Sequence, residues 1–432
     1  MARLRVAAVF LFLLVALGTS PARAATCVSL KLPCTDVDLG GGASGAYWQG
    51  TGAPHIAVVF THRTADTRFS FINTELVARG FSTLGIKSRF PNEKSVDFEF
   101  IALDMRAAVR YARSQPGITR VVLEGTSGGT PPVALYQAIA ENGPSFCQVP
   151  TKLTKCTGEV TMGWRASDKA DGIVVLEGHD ATNELFSLNA AVTDEDDPDN
   201  LDPKLDPFSE ANGYNPAGDS VYSQTFVDNY SKAQSQRMHH LILEAQKMRK
   251  DIEQGKRDPA DNAFVYRRDS ARLQQISTGV LGCTSKPRRL LRDDGTISDP
   301  HILCTVRLPA HLREADAQSI ADLTITSFLS ANAIESQQSE DRVDFCSTNY
   351  SPTCGFGSIS VPVLVMQGQA HYFIWDGEHI FENSASIDKT YLMVEGLAHN
   401  ALAGCVTCPG GPYPHARSNA FNFIRDWINT RF

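Results

Sequence analysis

Little in this 432-residue sequence would take it to a membrane, a nucleic acid or a metal. Beyond its first two dozen residues no apolar run approaches the ~20 residues that a helical span needs. Cations are not in excess: 40 Lys and Arg stand against 48 Asp and Glu, a formal net charge of −8, which argues against nucleic acid as a partner. There is no phosphate loop. Gly40-Gly41-Gly42-Ala43-Ser44-Gly45 is rich in glycine, but it lacks a lysine at the required spacing and a crossover helix after it, so it reads as a turn. The acidic stretch from Asp194 to Asp199 lacks the glycine and the distal glutamate of an EF-hand loop and reads as solvated. His239 and His240 are adjacent on a helical pattern, point to different faces, and so do not share an ion. No metal and no cofactor are expected.

What is present begins with residues 1–24, which have the pattern of a secretory signal. Arg3 and Arg5 form a positive start, Val6 to Leu17 is an apolar run too short to span a bilayer, and Ala22-Arg23-Ala24 is a small-residue cleavage site. Thr26 is a poor residue before a lipidated cysteine, so Cys27 is not read as an anchor. Loss of Arg3, Arg5 and Arg23 would take the formal charge from −8 to −11. The expected location is secreted or periplasmic. All ten cysteines follow the signal, and an even count in that setting implies disulfides. They fall in sequence-near pairs: 27–34, 147–156, 283–304, 346–354 and 405–408 are the simplest pairing. Cys405-Val406-Thr407-Cys408 has redox spacing without the strand before and helix after that a thioredoxin-type site needs, so a structural role is expected.

Periodicity places strands at 55–61, 83–86, 121–125, 172–177, 361–366 and 390–395, with antiparallel edges at 28–32 and 46–49. Helices are expected over 98–113, with Ile101, Met105, Val109 and Ala112 on one face, and over 417–431. Near-continuous apolar strands alternating with helices imply a mostly parallel sheet covered by helices on both faces, an α/β fold. Between about 181 and 355 the strand signal vanishes. A long helical pattern from Val221 to Gln254, with Met238, Leu241, Ala245, Met248 and Ile252 on one face, suggests a large, mostly helical lid. The expected organisation is a core of residues 25–180 and 356–432, interrupted by a lid of 181–355.

The stretch that organises the chain is Val121-Val122-Leu123-Glu124 leading into Gly125-Thr126-Ser127-Gly128-Gly129, then the helical pattern from Thr130 to Ala140 closed by Gly143. Strand, sharp turn, helix is the setting that G-x-S-x-G needs to be a nucleophile elbow. A serine at the apex of so tight a turn leaves no room for side chains beside it, hence Gly125 and Gly129. Its hydroxyl then projects at the positive end of a helix, beside free N–H groups. A serine nucleophile needs a base. His399 follows the last strand by a short loop, at the sheet end where open α/β sheets build their sites.

With these residues in place, the chain resembles the α/β-hydrolase superfamily over about residues 45–180 and 355–432. The resemblance rests on Gly125–Gly129 after a strand, His399 after the last strand, and Thr61-His62-Arg63-Thr64 after an early strand. It implies a Ser127–His399 pair completed by an acid, and an oxyanion hole made by the amide of Gly128 and one from the early loop. That loop usually reads His-Gly in the family; here Arg63 replaces the glycine, so Arg63 or Thr64 is the expected donor. The family commonly carries Gly-x-x-Asp after the strand matching 361–366, whereas this chain reads Gly368-Gln369-Ala370-His371, so the acid must come from elsewhere. Asp388 precedes a strand and lies at the wrong end of the sheet. Asp180, Asp376 and Glu378 remain. Asp376 reads as the N-cap of a helix, where its carboxylate is already engaged. Glu378 in the first turn is favoured in its ionised form and is the expected acid.

The function implied is hydrolysis of a carboxylic ester, on a small molecule or a polymer, through an acyl-enzyme. A peptidase could use the same triad, and a binding protein with a dead site would need one member missing. Neither the substrate nor the oligomeric state can be read from the sequence.

Overall fold

The structure is a computed structural model describing residues 34–52, 54–197, 200–269, 271–310, 320–336, 342–399 and 402–432. The expected signal over 1–24, the edge strand at 28–32 and Cys27 lie outside the described residues.

A nine-stranded sheet organises the chain. In sequence its strands are β1 (Cys34–Gly40), β2 (Ala43–Trp48), β3 (Ile56–Phe60), β4 (Ser82–Lys87), β5 (Arg120–Thr126), β6 (Gly172–Leu176), β8 (Leu290–Leu291), β10 (Val363–Gly368) and β11 (Lys389–Val394). In space they run β1-β2-β4-β3-β5-β6-β10-β11-β8. β1 and β2 form an antiparallel hairpin, and β2 pairs antiparallel with β4. Every pairing from β4 onward is parallel. The glycine-rich turn joins β1 to β2, with Gly40, Gly41 and Gly42 at φ 77, 60 and 90°, conformations that cost glycine nothing.

The strands are apolar on both sides because both faces are covered. Val59, Leu123, Val175 and Val365 pack with Met105, Val109 and Ala112 of the helix Ile101–Ser114 and with Val133 and Ala134 of the helix Thr130–Asn142. Their neighbours Val58, Val122, Val174 and Leu364 face the other way. They pack with Ile72 and Leu76 of the helix Phe71–Val77 and with Phe421, Ile424 and Ile428 of the helix Ala416–Asn429. The period of two sorts each strand between two helical layers.

The stretch between β6 and β10 is less uniformly helical than its sequence suggests. Its long helix is Gln224–Glu253, with Ser223 capping the N-terminus. On it Met238, Leu241 and Ala245 are buried, and Met248 and Ile252 pack at the margin of the same cluster. The stretch also holds a two-stranded antiparallel ribbon, β7 (Ala263–Arg267) with β9 (Ile320–Thr324), and it supplies β8 to the edge of the main sheet beside β11. These strands leave a weak trace: β8 is two residues long, and β7 and β9 alternate exposed and buried positions over only five residues each. The stretch shares a core with the sheet's helices, Leu185, Phe186, Leu241 and Phe328 packing in one cluster with Ile101, Leu135 and Ile139. The acidic loop is only partly solvated, because Glu195 pairs with Arg237 at 2.5 Å while Asp194, Asp196 and Asp197 are exposed.

Four of the expected disulfides are formed, 147–156, 283–304, 346–354 and 405–408. Cys34 is also disulfide-bonded. Among the described residues no helix is long and apolar enough to cross a membrane.

Candidate active site

The parallel strands β3, β5, β6, β10 and β11 are neighbours, and each delivers a chemically active side chain just past its carboxyl end: His62, Ser127, Glu177, His371 and His399.

Ser127 leaves β5 at φ 52°, a left-handed conformation that a non-glycine residue adopts only where its surroundings impose it. The helix Thr130–Asn142 starts three residues later. The flanking glycines are steric necessities. A Cβ on Gly125 would sit 2.8 Å from the Cα of Thr130, and one on Gly129 would overlap the carbonyl oxygen of Thr61. Ser127 and His399 line one cavity of about 170 Å³, together with Phe60, Thr61, His62 and Glu124.

The carboxylate that meets His399 is Glu177, at 3.2 Å from its Nδ1. Glu177 is fully buried, and like Ser127 it is held in the left-handed region, at φ 51°. Its other oxygen accepts a short hydrogen bond from the backbone N–H of Gly368. The Nδ1 of His371 stands 3.0 Å from the same oxygen that His399 uses, close but too poorly aligned for a hydrogen bond. The two imidazoles stack at 4.4 Å. Burial opposes a charge on Glu177, but the facing histidines outweigh it and hold the carboxyl down to about 2. On His371 burial outweighs the opposing charge of Glu177 and lowers the imidazole to about 4, so that ring is neutral near pH 7. His371 ends the Gly368-Gln369-Ala370-His371 segment, where the resemblance leads one to look for an acid.

The three carboxylates considered from sequence are engaged elsewhere. Glu378 accepts from the backbone of Ser285 at 2.6 Å and of Lys286 at 3.3 Å, and pairs with Arg288 at 2.8 Å. It is thus not the acid that His399 meets. It tethers the segment preceding β8 to the helix Ile374–Asn383. Asp376 lies inside that helix rather than at its cap and accepts from the backbone N–H of Asp180 at 3.0 Å, with burial raising its carboxyl to about 6. Asp180 accepts from the backbone of Ala181, from Ser351 at 3.0 Å and from Thr353. The sequence did hold a sign of Glu177: an acid closing the apolar strand GIVVL is a charge at a buried sheet end, and such a charge needs partners.

The early loop also departs from expectation. The backbone N–H of Arg63 donates to the carbonyl of Gly128 at 3.3 Å, and its guanidinium reaches Glu93, the carbonyl of Ala331 and Asn332. Arg63 therefore ties the loop to the stretch between β6 and β10. The N–H groups of Thr64 and Ala65 both donate to Nδ1 of His62, at 3.2 and 3.0 Å. Neither expected amide is free for an oxyanion. The same bonds fix the imidazole: a nitrogen that accepts twice carries no proton, so the proton is on Nε2. Burial, then the charge of Arg63, lowers His62 to about 4, which keeps the ring neutral. Nε2 lies against the elbow, 2.5 Å from where a Cβ on Gly128 would stand.

Among the described residues, Glu177, His371 and His399 are also the group whose ligand atoms, all within 4.8 Å of one another, could hold a metal ion. The atoms that would bind it are those joining His399 to its carboxylate.

No known sequence family and no curated protein matches this chain. Solved structures do resemble it at low identity. An alpha/beta hydrolase, GrgF from Penicillium sp. sh18, is 10% identical with a TM-score of 0.44, covering 93% of this chain and 99% of its own. The siderophore hydrolase EstB from Aspergillus fumigatus is 11% identical with a TM-score of 0.40, over 93% and 96%. A monoacylglycerol lipase from Paleococcus ferrophilus is 12% identical with a TM-score of 0.37, over 90% and 98%. These likenesses are distant. The chain's own strand order, the left-handed serine just after β5 and the histidine loop after β11 are the features on which the resemblance to the α/β-hydrolase superfamily rests.

Proposed function

We propose that this protein is a secreted or periplasmic serine hydrolase that cleaves a carboxylic ester with Ser127, His399 and Glu177. The observation that carries the reading is the pairing of two halves in one place. A serine held in a left-handed turn lines the same cavity as a histidine whose Nδ1 is on a buried carboxylate.

In this reading Glu177, ionised, accepts a hydrogen bond from the Nδ1–H of His399, which leaves Nε2 bare as the base. Ser127 Oγ attacks the ester carbonyl as its proton passes to Nε2. The tetrahedral intermediate collapses, the C–O bond to the alcohol breaks, and Nε2 returns the proton to the departing oxygen. Water repeats the sequence on the acyl-enzyme, giving the acid and free Ser127. The developing oxyanion is met by the Gly128 amide, the residue after the nucleophile, and by the Nε2–H of His62 in place of an early-loop amide. A neutral imidazole serves as such a donor because it gives a hydrogen bond without its own charge to desolvate. His371 positions Glu177 from the loop after β10. Residues 181–355 are proposed to cap the site. The four disulfides suit an oxidising compartment. A dead-site binding protein is disfavoured, since a carboxylate does stand on His399.

The test is turnover of a panel of acyl esters and aminoacyl amides, with and without a serine-directed phosphonate and with and without a chelator. Ester turnover blocked by the phosphonate and indifferent to the chelator supports the proposal. Preferential amide turnover would make it a peptidase. Loss of turnover to the chelator would instead assign Glu177, His371 and His399 to a metal.

A further inference from the structure

The cavity beneath Ser127 holds one group that the hydrolytic reading does not use. Glu124 lies on β5 three residues before the nucleophile, only 2% exposed, between Phe60 of β3 and Val174 of β6 in the sheet register. Its side chain shares the face of Val122, Val174 and Leu176, an otherwise apolar layer. One carboxyl oxygen accepts from the hydroxyl of Thr126. The other, Oε2, is buried and has no partner among the described residues. Glu124 nonetheless lines the cavity that Ser127 and His399 share, with Phe60, Phe71, Ile72 and Leu402 as its apolar wall.

A buried acid without a cation against it is costly, and a fold that needed only packing would place an apolar side chain there. We infer that Glu124 anchors a small protonated amine carried by the substrate close to the ester that Ser127 attacks. This rests on the reading of Ser127 as nucleophile. The cavity's size limits the group: about 170 Å³ is small beside the roughly 300–1,000 Å³ of pockets for drug-sized ligands. It admits a short chain ending in an ammonium group. The unpartnered oxygen supplies its acceptor, Thr126 holds the carboxyl in place, and the other two ionisable groups of the cavity, His62 and His399, do not oppose it when neutral. While the cavity holds no cation, burial raises Glu124 to about 8 and keeps it protonated. Entry of an ammonium group releases that proton to solvent and leaves an ion pair inside an apolar wall, where charge-assisted hydrogen bonds are strongest.

The amine could belong to the acyl part of the ester or to the alcohol part, and two matched pairs of substrates separate these. Ethyl glycinate against ethyl propionate exchanges an ammonium for a methyl group on the acyl side. The 2-(dimethylamino)ethyl ester of propionic acid against the 3-methylbutyl ester exchanges a dimethylammonium for an isopropyl group on the alcohol side. The readout, at pH 7, is the ratio of kcat/KM within each pair, in the wild type and in Glu124→Gln. Intrinsic differences in ester reactivity and any loss of folded protein cancel when the ratio is compared between proteins. In one pair the ratio should fall roughly ten- to hundredfold in the variant, the scale of a lost hydrogen bond to a charged group. That pair names the side that carries the amine. Ratios that stay within threefold in both pairs overturn the inference, as does a glycolate ester preferred over the glycinate, which would assign Glu124 to a neutral hydroxyl. Should Glu124→Gln fail to fold, wild-type inhibition decides: ethylammonium should compete with ethyl propionate where ethanol at equal concentration does not, and equal effects overturn it. Absence of turnover and of phosphonate labelling in the wild type would instead fell the reading of Ser127.

Discussion

Replacing Glu177 by glutamine separates the role of this carboxylate from that of Glu378, Asp376 and Asp180, the three considered from sequence. The side chain is fully buried and ionised, with one oxygen on the Gly368 N–H and the other on Nδ1 of His399 at 3.2 Å, His371 adjoining at 3.0 Å. Glutamine keeps the shape but offers one acceptor where there were two. If its oxygen stays on Gly368, its NH₂ faces His399. The imidazole must then turn Nδ1 into an acceptor and carry its proton on Nε2, where the base needs a lone pair. A wrong tautomer of this kind costs about 10⁴ in kcat in a serine protease triad. We expect a loss of 10³–10⁴ here, or about 4–5.5 kcal/mol of barrier at 1.36 kcal/mol per decade, with KM little changed. Stability should fall far less, by about 1–3 kcal/mol for an unsatisfied buried group. Glu378→Gln should behave in the opposite way: it weakens the tie to Arg288 and lowers Tm, while kcat stays within threefold. The assay is steady-state kinetics on the best ester of the panel beside thermal unfolding, for Glu177→Gln, Glu378→Gln, Asp376→Asn and Asp180→Asn. A Glu177→Gln variant within tenfold of wild-type kcat, or a collapse in one of the other three instead, would refute the reasoning.

Removing the imidazole donor in His62→Ala should lower kcat about 10²- to 10³-fold with KM little affected, the usual effect of losing one oxyanion donor; a change in KM alone would mean that His62 serves only substrate binding. Glu124 should make stability depend on pH in a defined sense. Its folded value is raised from 4.5 to about 8, so its contribution is complete below pH 4.5 and is lost as pH rises towards 8. At about 1.4 kcal/mol per pKa unit, Glu124→Gln should gain a few kcal/mol relative to wild type between pH 4.5 and 8 in unfolding titrations, and a constant difference would contradict the burial argument. Opening the 283–304 disulfide, whose cysteines lie 21 residues apart, in a Cys283→Ser, Cys304→Ser variant should cost about 3 kcal/mol in denaturant unfolding; an unchanged midpoint would show that β8 is held without it.

The parts of the site written in one continuous stretch of sequence were the readable ones. Ser127 announces itself because strand, glycines and helix are all local, and the same sterics that empty Gly125 and Gly129 of side chains leave the motif in the sequence. His399 was legible from its place after the last strand. The four disulfides were legible because their partners are close along the chain. Glu177 was not, since it reads as the last residue of its own strand, and only the tertiary fold turns it to φ 51° and brings residues 368, 371 and 399 around it. Glu378 looked suitable from helix electrostatics alone, but its partner Arg288 lies in a stretch whose return to the sheet edge rests on two residues of β8. The engagement of the early-loop amides of Arg63 and Thr64 was hidden for a related reason. Which amide is free depends on what the His62 ring accepts, and no periodicity records that.

The measurement that bears most directly on the account is the covalent labelling of Ser127. Wild-type protein treated with a fluorophosphonate, digested and mapped by mass spectrometry should carry one phosphonyl group, on the peptide spanning Gly125–Gly129 and at Ser127. Ser127→Ala should carry none there and lose at least about a thousandfold in ester turnover while remaining folded, since the members of a triad act as a unit. A wild type that takes no label, a label on another residue, or a Ser127→Ala variant within tenfold of wild-type activity would contradict the assignment of this chain as a serine hydrolase.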